Sequence, residues 1–207
     1  MFDLDGTLID SKVAILNSAK RILHSLNIYS INDDQIIESI GLPIKTLFET
    51  ELSGKKLSLA VSKFQKDLLV TGASSTIIYP DVQNVLTELI KSGVKTAVVT
   101  NKPTKLAKVI LLNLKLDNYF QFIIGLGRGL LPKPSGQMLV KTMNFFGSPS
   151  ETYMIGDRME DIQAAKCAGV KSILIMHKDH IERVSEGSSP DYTLTSFKQL
   201  PNLILRT

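Results

Sequence analysis

The chain begins with the motif FDLDGTL at residues 2–8, in which a short apolar run leads into two carboxylates, Asp3 and Asp5. Side chains alternate along a strand, so both aspartates would project to the same side if both lay on it. Two like charges held so close resist joint ionisation, and a bound cation or a division into nucleophile and proton carrier would offset that cost. Because Asp and Gly are also ordinary turn residues, a solvated loop is the alternative interpretation.

Composition predicts a globular protein with one sizeable domain, or a core domain that carries a smaller insertion. Of the 207 residues, 43% are hydrophobic and 21% are charged. No apolar run approaches the roughly 20 residues that a membrane helix needs, and the opening residues do not resemble a secretory signal. A single cysteine, Cys167, excludes an internal disulfide, so we expect a cytoplasmic protein.

The charge of the chain indicates a small anionic ligand rather than a nucleic acid. The net charge is +4, and the lysines are spread along the chain. Nucleic-acid surfaces usually combine dense basic stretches with aromatic side chains, and neither is present. A modest positive potential does raise the encounter rate with a small anion.

Hydrophobic periodicity divides the rest of the chain into a helical block and an alternating block. Residues 12–69 have helical spacing throughout, with Asn32 or Asp33 as a predicted N-cap. After Tyr79-Pro80, helices alternate with short apolar strands, which predicts βαβ units and a parallel sheet covered on both faces. The predicted strands are 96–100, 122–124, 153–155, 172–176 and 192–194, and the predicted helices between them are 82–92, 105–114, 137–146 and 161–168.

Polar residues follow the predicted strands, at the edge where open α/β sheets bind ligands. Thr100 and Asn101 offer a hydroxyl and an amide just before a helix start, which favours a phosphate. Lys133 precedes another helix, and Asp157 and Asp161 follow the fourth strand one helical turn apart. Together with the opening motif, these residues predict a Mg²⁺ site beside a phosphate site. The acidic set is Asp3, Asp5, Asp157 and Asp161, and the phosphate-binding set is Thr100, Asn101 and Lys133.

These segments resemble the four motifs of the haloacid dehalogenase (HAD) superfamily of aspartate-nucleophile phosphohydrolases, in that family's order. DLDGT at residues 3–7 is similar to the first motif, Thr100 to the second, and Lys133 to the third. Gly156-Asp157 with Asp161 is similar to the fourth. The resemblance covers essentially the whole chain and implies an α/β fold with a Rossmann-like parallel sheet.

The resemblance also implies a role for each matched residue. Asp3 would be the nucleophile that attacks phosphorus and forms an aspartyl-phosphate, while Asp5 would protonate the leaving oxygen and then deprotonate water. Thr100 and Asn101 would bind the transferring phosphoryl group. Lys133 would neutralise both that group and the nucleophile, because two anions approach each other during the reaction.

The cofactor implied by the resemblance is Mg²⁺. Its ligands would be the Asp3 carboxylate, the main-chain carbonyl of Asp5 and Asp157, with Asp161 as a ligand or an outer-shell partner. The partner would be a small phosphorylated metabolite, with no nucleic acid and no membrane. C1-capped relatives occur as monomers and as dimers, so a monomer and a homodimer both remain open.

A helical insertion directly after the first motif is similar to the family's C1 cap, a lid over the site. We therefore expect a core domain of residues 1–11 and 78–207 and a helical cap domain of residues 12–77. TNKP at residues 100–103 and the Tyr79-Pro80 pair resemble the phosphoglycolate phosphatase-like branch. In that branch a cap loop faces the substrate near residues 41–43, which makes Lys45 a candidate specificity residue.

The alternatives on the same core are a phosphomutase, a pyrophosphatase and a non-catalytic binding protein. Dehalogenation fits less well, because the second acid Asp5 and the hydroxyl of Thr7 suit phosphoryl transfer.

Three positions depart from the family pattern. Only two residues precede Asp3, so we expect native residues before Met1 or, failing that, a weakened central strand. Lys-Pro-x-Pro is replaced by KPSG at 133–136. Arg158 occupies a position where small polar residues are commoner, and we expect it to pair with Glu160 or Asp161 rather than contact a substrate.

Overall fold

The computed structural model describes residues 1–177 and 189–205. Its regular elements alternate between helix and strand after residue 80, and between residues 12 and 75 they are helical. In chain order they are β1 (Ile9–Asp10), α1 (Lys12–Ser25), α2 (Asp33–Glu38), α3 (Ile44–Phe48), α4 (Gly54–Thr71), β2 (Ile77–Ile78), α5 (Val82–Lys91), β3 (Ala97–Pro103), α6 (Thr104–Asn113), β4 (Phe122–Leu126), α7 (Gln137–Phe145), β5 (Tyr153–Gly156), α8 (Met159–Ala168), β6 (Lys171–Ile175), β7 (Tyr192–Leu194) and α9 (Leu200–Ile204), with 3₁₀ turns at Gly72–Ser75, Asp117–Tyr119 and Phe197–Gln199.

The first three residues join two groups of parallel strands into one sheet. Strand β3 pairs with β4, and β6 lies between β5 and β7. Phe2 forms parallel bridges to Val98 of β3 and to Ile155 of β5, and the amide of Asp3 donates to the carbonyl of Ile155 at 2.8 Å. The sheet order is therefore β4, β3, residues 1–3, β5, β6, β7. Asp3 lies where the order reverses, which is the ligand-binding position of open α/β sheets.

The predicted α/β fold with a parallel sheet is confirmed, and most helix and strand ends differ from the prediction by one or two residues. The end of β3 was predicted wrongly. It continues past Thr100 to Pro103, because Pro103 pairs with Leu126 after a shift in register. Helix α6 therefore begins at Thr104, and no free helix start lies directly after Thr100.

The helical block is also confirmed, and Asn32 caps α2 as predicted. Its side chain accepts from the amide of Gln35 at 2.9 Å, and the Gln35 side chain accepts from the amide of Asn32 at 2.9 Å. The two ends of the block are joined by an antiparallel pair, Ile9 with Ile78. This pair was not predicted, because two-residue strands are too short to show a periodicity.

One apolar cluster contains side chains from both the helical block and the sheet, including Phe64, Leu68 and Val98. The division into a core and a cap domain stays a prediction. Residues 178–188 and 206–207, which belong to the predicted core, lie outside the described residues. Within 1–177 and 189–205, no helix has the length and apolarity needed to cross a bilayer.

Candidate active site

Three of the four predicted acidic residues lie together at the carboxyl edge of the sheet. One carboxylate oxygen from each of Asp3, Asp157 and Asp161 lies within 4.8 Å of the other two, and all three residues are buried. Asp3 follows the central residues of the sheet, Asp157 follows β5, and Asp161 lies in the first turn of α8. The side chain of Asp5 does not belong to this cluster.

Burial and mutual repulsion disfavour the ionised forms of these carboxyl groups. Burial raises the pKa of Asp3 to about 6, although Lys133 opposes that shift. Burial, with the charge of Asp3, raises the pKa of Asp157 to about 7. Burial and the charge of Asp157 likewise raise the pKa of Asp161, although Lys133 again opposes the shift. Such a cluster is stabilised by added positive charge.

Lys133 supplies positive charge to two members of the cluster. Its Nζ lies 2.8 Å from Asp3 Oδ1 and 2.5 Å from Asp161 Oδ1, and its side chain is almost fully buried. Burial lowers the pKa of Lys133, but Asp161 and Asp3 more than offset this and raise it above its usual value. Lys133 is therefore held as an ammonium beside the predicted nucleophile.

Two glycines allow the backbone to approach the carboxylates closely. Gly6 has a φ of +82°, and a Cβ atom there would collide with the carboxylate of Asp157. A Cβ atom on Gly156 would collide with the side chain of Asp161. Thr7, the residue after Gly6, donates from its hydroxyl to Asp157 Oδ1 at 2.8 Å and so orients that carboxylate.

Asp5 is held apart from the cluster by a separate pair of donors. Its Oδ1 accepts from Ser11 Oγ at 2.5 Å and from Lys102 Nζ at 2.7 Å. Asp5, Ser11 and Lys102 are all buried. The two aspartates of the opening motif therefore have different partners, Lys133 for Asp3 and Lys102 for Asp5.

Thr100 and Asn101 are buried, and part of their hydrogen-bonding capacity is used internally. Thr100 Oγ1 accepts from the amide of Lys102 at 3.2 Å, so its hydroxyl hydrogen can still donate to a phosphate oxygen. The Asn101 side chain accepts from the amide of Lys133 at 2.8 Å and donates to the carbonyl of Gly41 at 3.1 Å.

A cavity of about 40 Å³ lies between the helical block and the carboxyl edge of the sheet. We call it the Lys102 cavity, and its lining is mostly apolar. Lys45 is not among the residues that line it, and its Nζ lies 3.5 Å from Glu49 on an exposed face of α3. The lining residues are Asp5, Ile15, Ser39, Ile40, Gly41, Leu42, Ile44, Phe64, Gln65, Leu68, Asn101, Lys102, Pro103 and Leu106.

Arg158 pairs with Glu160, as expected, and also contacts the helical block. Its Nε donates to Glu160 Oε2 at 3.1 Å. Its Nη1 donates to the carbonyls of Glu38 and Ile40 at 3.0 Å and 2.7 Å. Asp161 accepts from the main-chain amide of Arg158, rather than from its guanidinium, at 3.1 Å.

The family of this chain follows from its similarity to known proteins. The model of the family described as haloacid dehalogenase-like hydrolase matches residues 1–175. The chain belongs to this family. The resemblance identified from the four motifs is thereby confirmed.

Relatives of this HAD-like hydrolase cover nearly its whole length. Phosphoglycolate phosphatase of Aquifex aeolicus is 34% identical over 205 residues, which is 99% of this chain and 95% of that protein. A protein of Caldanaerobacter subterraneus subsp. tengcongensis, named as a candidate pyrophosphatase PpaX, is 31% identical over 205 residues, or 99% and 93% of the two chains. The crystal structure of a predicted phosphatase from Clostridium acetobutylicum superposes with a TM-score of 0.85 at 27% identity, covering 100% and 97%. The expected enzyme class, a HAD-family phosphatase, is confirmed.

The acidic cluster of this HAD-like hydrolase fits a divalent cation such as Mg²⁺. Within the described residues, Asp3 Oδ1 is buried, lies beside Lys133 and accepts no hydrogen bond of good geometry. Three carboxylates lie close together and Lys133 pairs with only two of them, and hard cations prefer such oxygen ligands. The donor set therefore suits the family's cofactor.

Sequence reasoning missed several residues of the site, for identifiable reasons. The sequence shows Lys102 only as part of the TNKP motif at residues 100–103 and indicates no separate role for it, although it directly follows two predicted phosphate ligands. The contact between Ser11 and Asp5 spans six residues and depends on a turn that shows no periodicity. The contact of Arg158 with Ile40 spans 118 residues, and no local pattern reports it.

Proposed function

We propose that this chain is a Mg²⁺-dependent phosphatase that hydrolyses a phosphomonoester of a small, phosphoglycolate-like metabolite through an aspartyl-phosphate. One observation carries the proposal: Asp3 lies buried at the reversal point of the sheet with Lys133 Nζ 2.8 Å from Oδ1. A nucleophilic carboxylate that approaches a phosphate dianion needs positive charge in place beforehand, and Lys133 provides it.

The reaction would proceed in two steps. In the first, a carboxylate oxygen of Asp3 attacks phosphorus, the bond from phosphorus to the leaving oxygen breaks, and Asp5 donates a proton to that oxygen. In the second, Asp5 accepts a proton from water, whose oxygen attacks phosphorus, and inorganic phosphate leaves as the Asp3 carboxylate is restored. Thr100 would donate its hydroxyl hydrogen to the phosphoryl group. Covalent catalysis thus divides one difficult displacement into two easier ones.

Asp3, Asp157 and Asp161 would hold Mg²⁺, and the resemblance adds the main-chain carbonyl of Asp5. When bound, the ion would supply Lewis-acid stabilisation of phosphoryl charge. Thr7 orients Asp157, because its hydroxyl donates to Oδ1 at 2.8 Å. Lys133 and the main-chain amide of Arg158 each donate to one carboxylate oxygen of Asp161. Asp161 would therefore bind the metal only weakly or lie just outside its direct ligands.

The Lys102 cavity would receive the leaving group, because it lies beside Asp5, the proposed proton carrier. Residues 12–77 would act as the cap that closes over this space and excludes bulk water. We propose a cytoplasmic protein that acts as a monomer or homodimer, with Lys45 as a further candidate for substrate selection.

The test compares three proteins with 2-phosphoglycolate and p-nitrophenyl phosphate in the presence of Mg²⁺. We expect Asp3→Asn to lower phosphate release by several orders of magnitude, since an amide is a poor nucleophile, and we expect EDTA to stop the wild-type enzyme. Asp34→Asn, on the exposed start of α2, serves as the matched control and should keep wild-type activity. Full activity in Asp3→Asn, or turnover that persists in EDTA, would refute the mechanism.

A pyrophosphatase is the second candidate, because the relative named PpaX is 31% identical over 99% of this chain. The two candidates share Asp3, the metal site and Lys133, and they differ in the leaving group. The comparison is kcat/KM for pyrophosphate against 2-phosphoglycolate. A preference for pyrophosphate would replace the phosphomonoesterase proposal and leave the nucleophile assignment intact.

A further inference from the structure

Lys102 forms a buried ion pair that the proposed chemistry does not require. Its Nζ lies 2.7 Å from Asp5 Oδ1, and each side chain is only 6% exposed. Removing two charges from water is costly, and a buried ion pair often adds no net stability over apolar residues of the same size. The pair therefore calls for a reason beyond folding.

The position of the pair indicates what that reason is. Asp5 and Lys102 both line the Lys102 cavity, opposite apolar side chains of the helical block such as Ile44, Phe64 and Leu68. Lys102 is the only cationic residue among the described residues of that lining. Lys133 lies in the acidic cluster, where its ammonium is occupied by Asp3 and Asp161. A substrate that places its phosphate beside Asp3 would place its alcohol part in the cavity, next to Lys102.

We propose that Lys102 is a specificity residue that binds a carboxylate on the alcohol part of the substrate. On binding, the substrate carboxylate takes the place of the Asp5 carboxylate on the Lys102 ammonium. Asp5 then takes up a proton from water and faces the leaving oxygen as the proton donor. The inference rests on the proposed phosphatase function and specifies its substrate class, a phosphorylated hydroxy acid. It assigns selection to a core residue rather than to Lys45.

The charge of the cavity lining favours a single carboxylate over a second phosphate. One ammonium balances one negative charge, and no other described lining residue carries a positive charge. A neutral alcohol part would enter the cavity without a partner for the Lys102 ammonium. Asp5 would then stay paired.

The test uses two substrates of nearly equal size. 2-Phosphoglycolate carries the carboxylate, and 2-hydroxyethyl phosphate replaces it with a neutral CH₂OH group. For the wild type we expect kcat/KM to favour 2-phosphoglycolate. Lys102→Met should lower both values, because it also leaves Asp5 unpaired, but it should reduce the ratio between the substrates by about tenfold or more. Lys102→Arg should retain part of the preference.

Two further measurements test the role of Lys102. Glycolate should inhibit the wild type far more strongly than ethylene glycol, and this comparison does not depend on the folding of a variant. A ratio unchanged by Lys102→Met, or equal inhibition by the two alcohols, would overturn the inference while leaving the phosphatase function intact. If no phosphomonoester is hydrolysed, the proposed function fails, and calorimetric titration of wild type and Lys102→Met with glycolate still decides whether Lys102 binds a carboxylate.

Discussion

Arg158 Nη1 donates to the main-chain carbonyl of Ile40 at 2.7 Å. This bond joins the residue before α8 to the segment that follows α2. The same guanidinium reaches the carbonyl of Glu38 at 3.0 Å. From the other side, Asn101 donates to the carbonyl of Gly41 at 3.1 Å. Gly41 has a φ of +89°, and a Cβ atom there would lie 2.6 Å from Arg158 Cδ. Residues 38–41 are thus held over the Lys102 cavity by two side chains from the predicted core.

Removing the guanidinium should release residues 38–41 from the site. For Arg158→Met we expect faster amide exchange at residues 39–42 and a loss of about 1–2 kcal/mol in the free energy of unfolding, since charged donors to carbonyls are lost. Hydrogen exchange read by mass spectrometry measures the first effect, and urea unfolding measures the second. Arg128→Met, at an exposed position just after β4, is the control and should change neither. Unchanged exchange at 39–42 would show that Arg158 does not hold this segment.

The sequence predicts the carboxyl edge of the sheet well, because the residues of the candidate site follow strands. Asp3, Thr100 and Asp157 each lie in or just after an apolar run, and parallel strands bring their carboxyl ends to one edge. The local patterns therefore suffice to predict the fold and the acidic cluster. They also predict the helical block, since its apolar residues recur at helical spacing.

What the sequence does not predict depends on contacts between distant residues. The partner of Asp5 is Lys102, and the partner of Ile40 is Arg158, at separations of 97 and 118 residues. The resemblance implies Lys133 beside Asp3, but it assigns no partner to Asp5. The register of β3 against β4 shifts between Thr100 and Pro103. Hydrophobic periodicity carries no information about such a shift.

Gly6 and Gly93 offer a matched test of the close approach in the opening motif. Both have a φ of +82°, but a Cβ atom on Gly6 would collide with Asp157, whereas nothing lies within 4 Å of the same atom on Gly93. Gly93→Ala should cost about 1–2 kcal/mol from backbone strain alone and keep activity. Gly6→Ala should add displacement of Asp157 and lower Mg²⁺ affinity by roughly 10- to 100-fold. Calorimetric titration with Mg²⁺ and thermal unfolding separate the two effects, and equal Mg²⁺ affinity in both variants would contradict the assignment.

The raised pKa values of the acidic cluster make the metal-free protein less stable as pH rises. Burial raises the pKa of Asp157 from 3.8 to about 7, and that of Asp3 from 3.8 to about 6. At pH values between 3.8 and these raised pKa values, the folded state binds more protons than the unfolded state. The free energy of unfolding therefore falls with increasing pH. Asp157→Asn removes one ionisable group, so its stability relative to the wild type should increase between pH 5 and pH 7.5, by on the order of 2 kcal/mol.

Urea unfolding in EDTA measures this difference. Groups common to both proteins, such as the α-amino group of Met1, cancel in the comparison. Asp191→Asn is the control: hydrogen bonds from Ser172 lower the pKa of Asp191, so its carboxyl stays ionised throughout that range and the difference from wild type should not vary with pH. Mg²⁺ added at pH 7.5 should restore the free energy of unfolding that the wild type loses as pH rises, since a ligand that binds only the folded state stabilises it. The same addition should stabilise Asp157→Asn much less. If the stability of Asp157→Asn relative to the wild type decreased with rising pH, Asp157 would not be a buried member of the cluster. Only a carboxyl that is kept from water and lies close to other carboxylates destabilises the folded protein when it ionises.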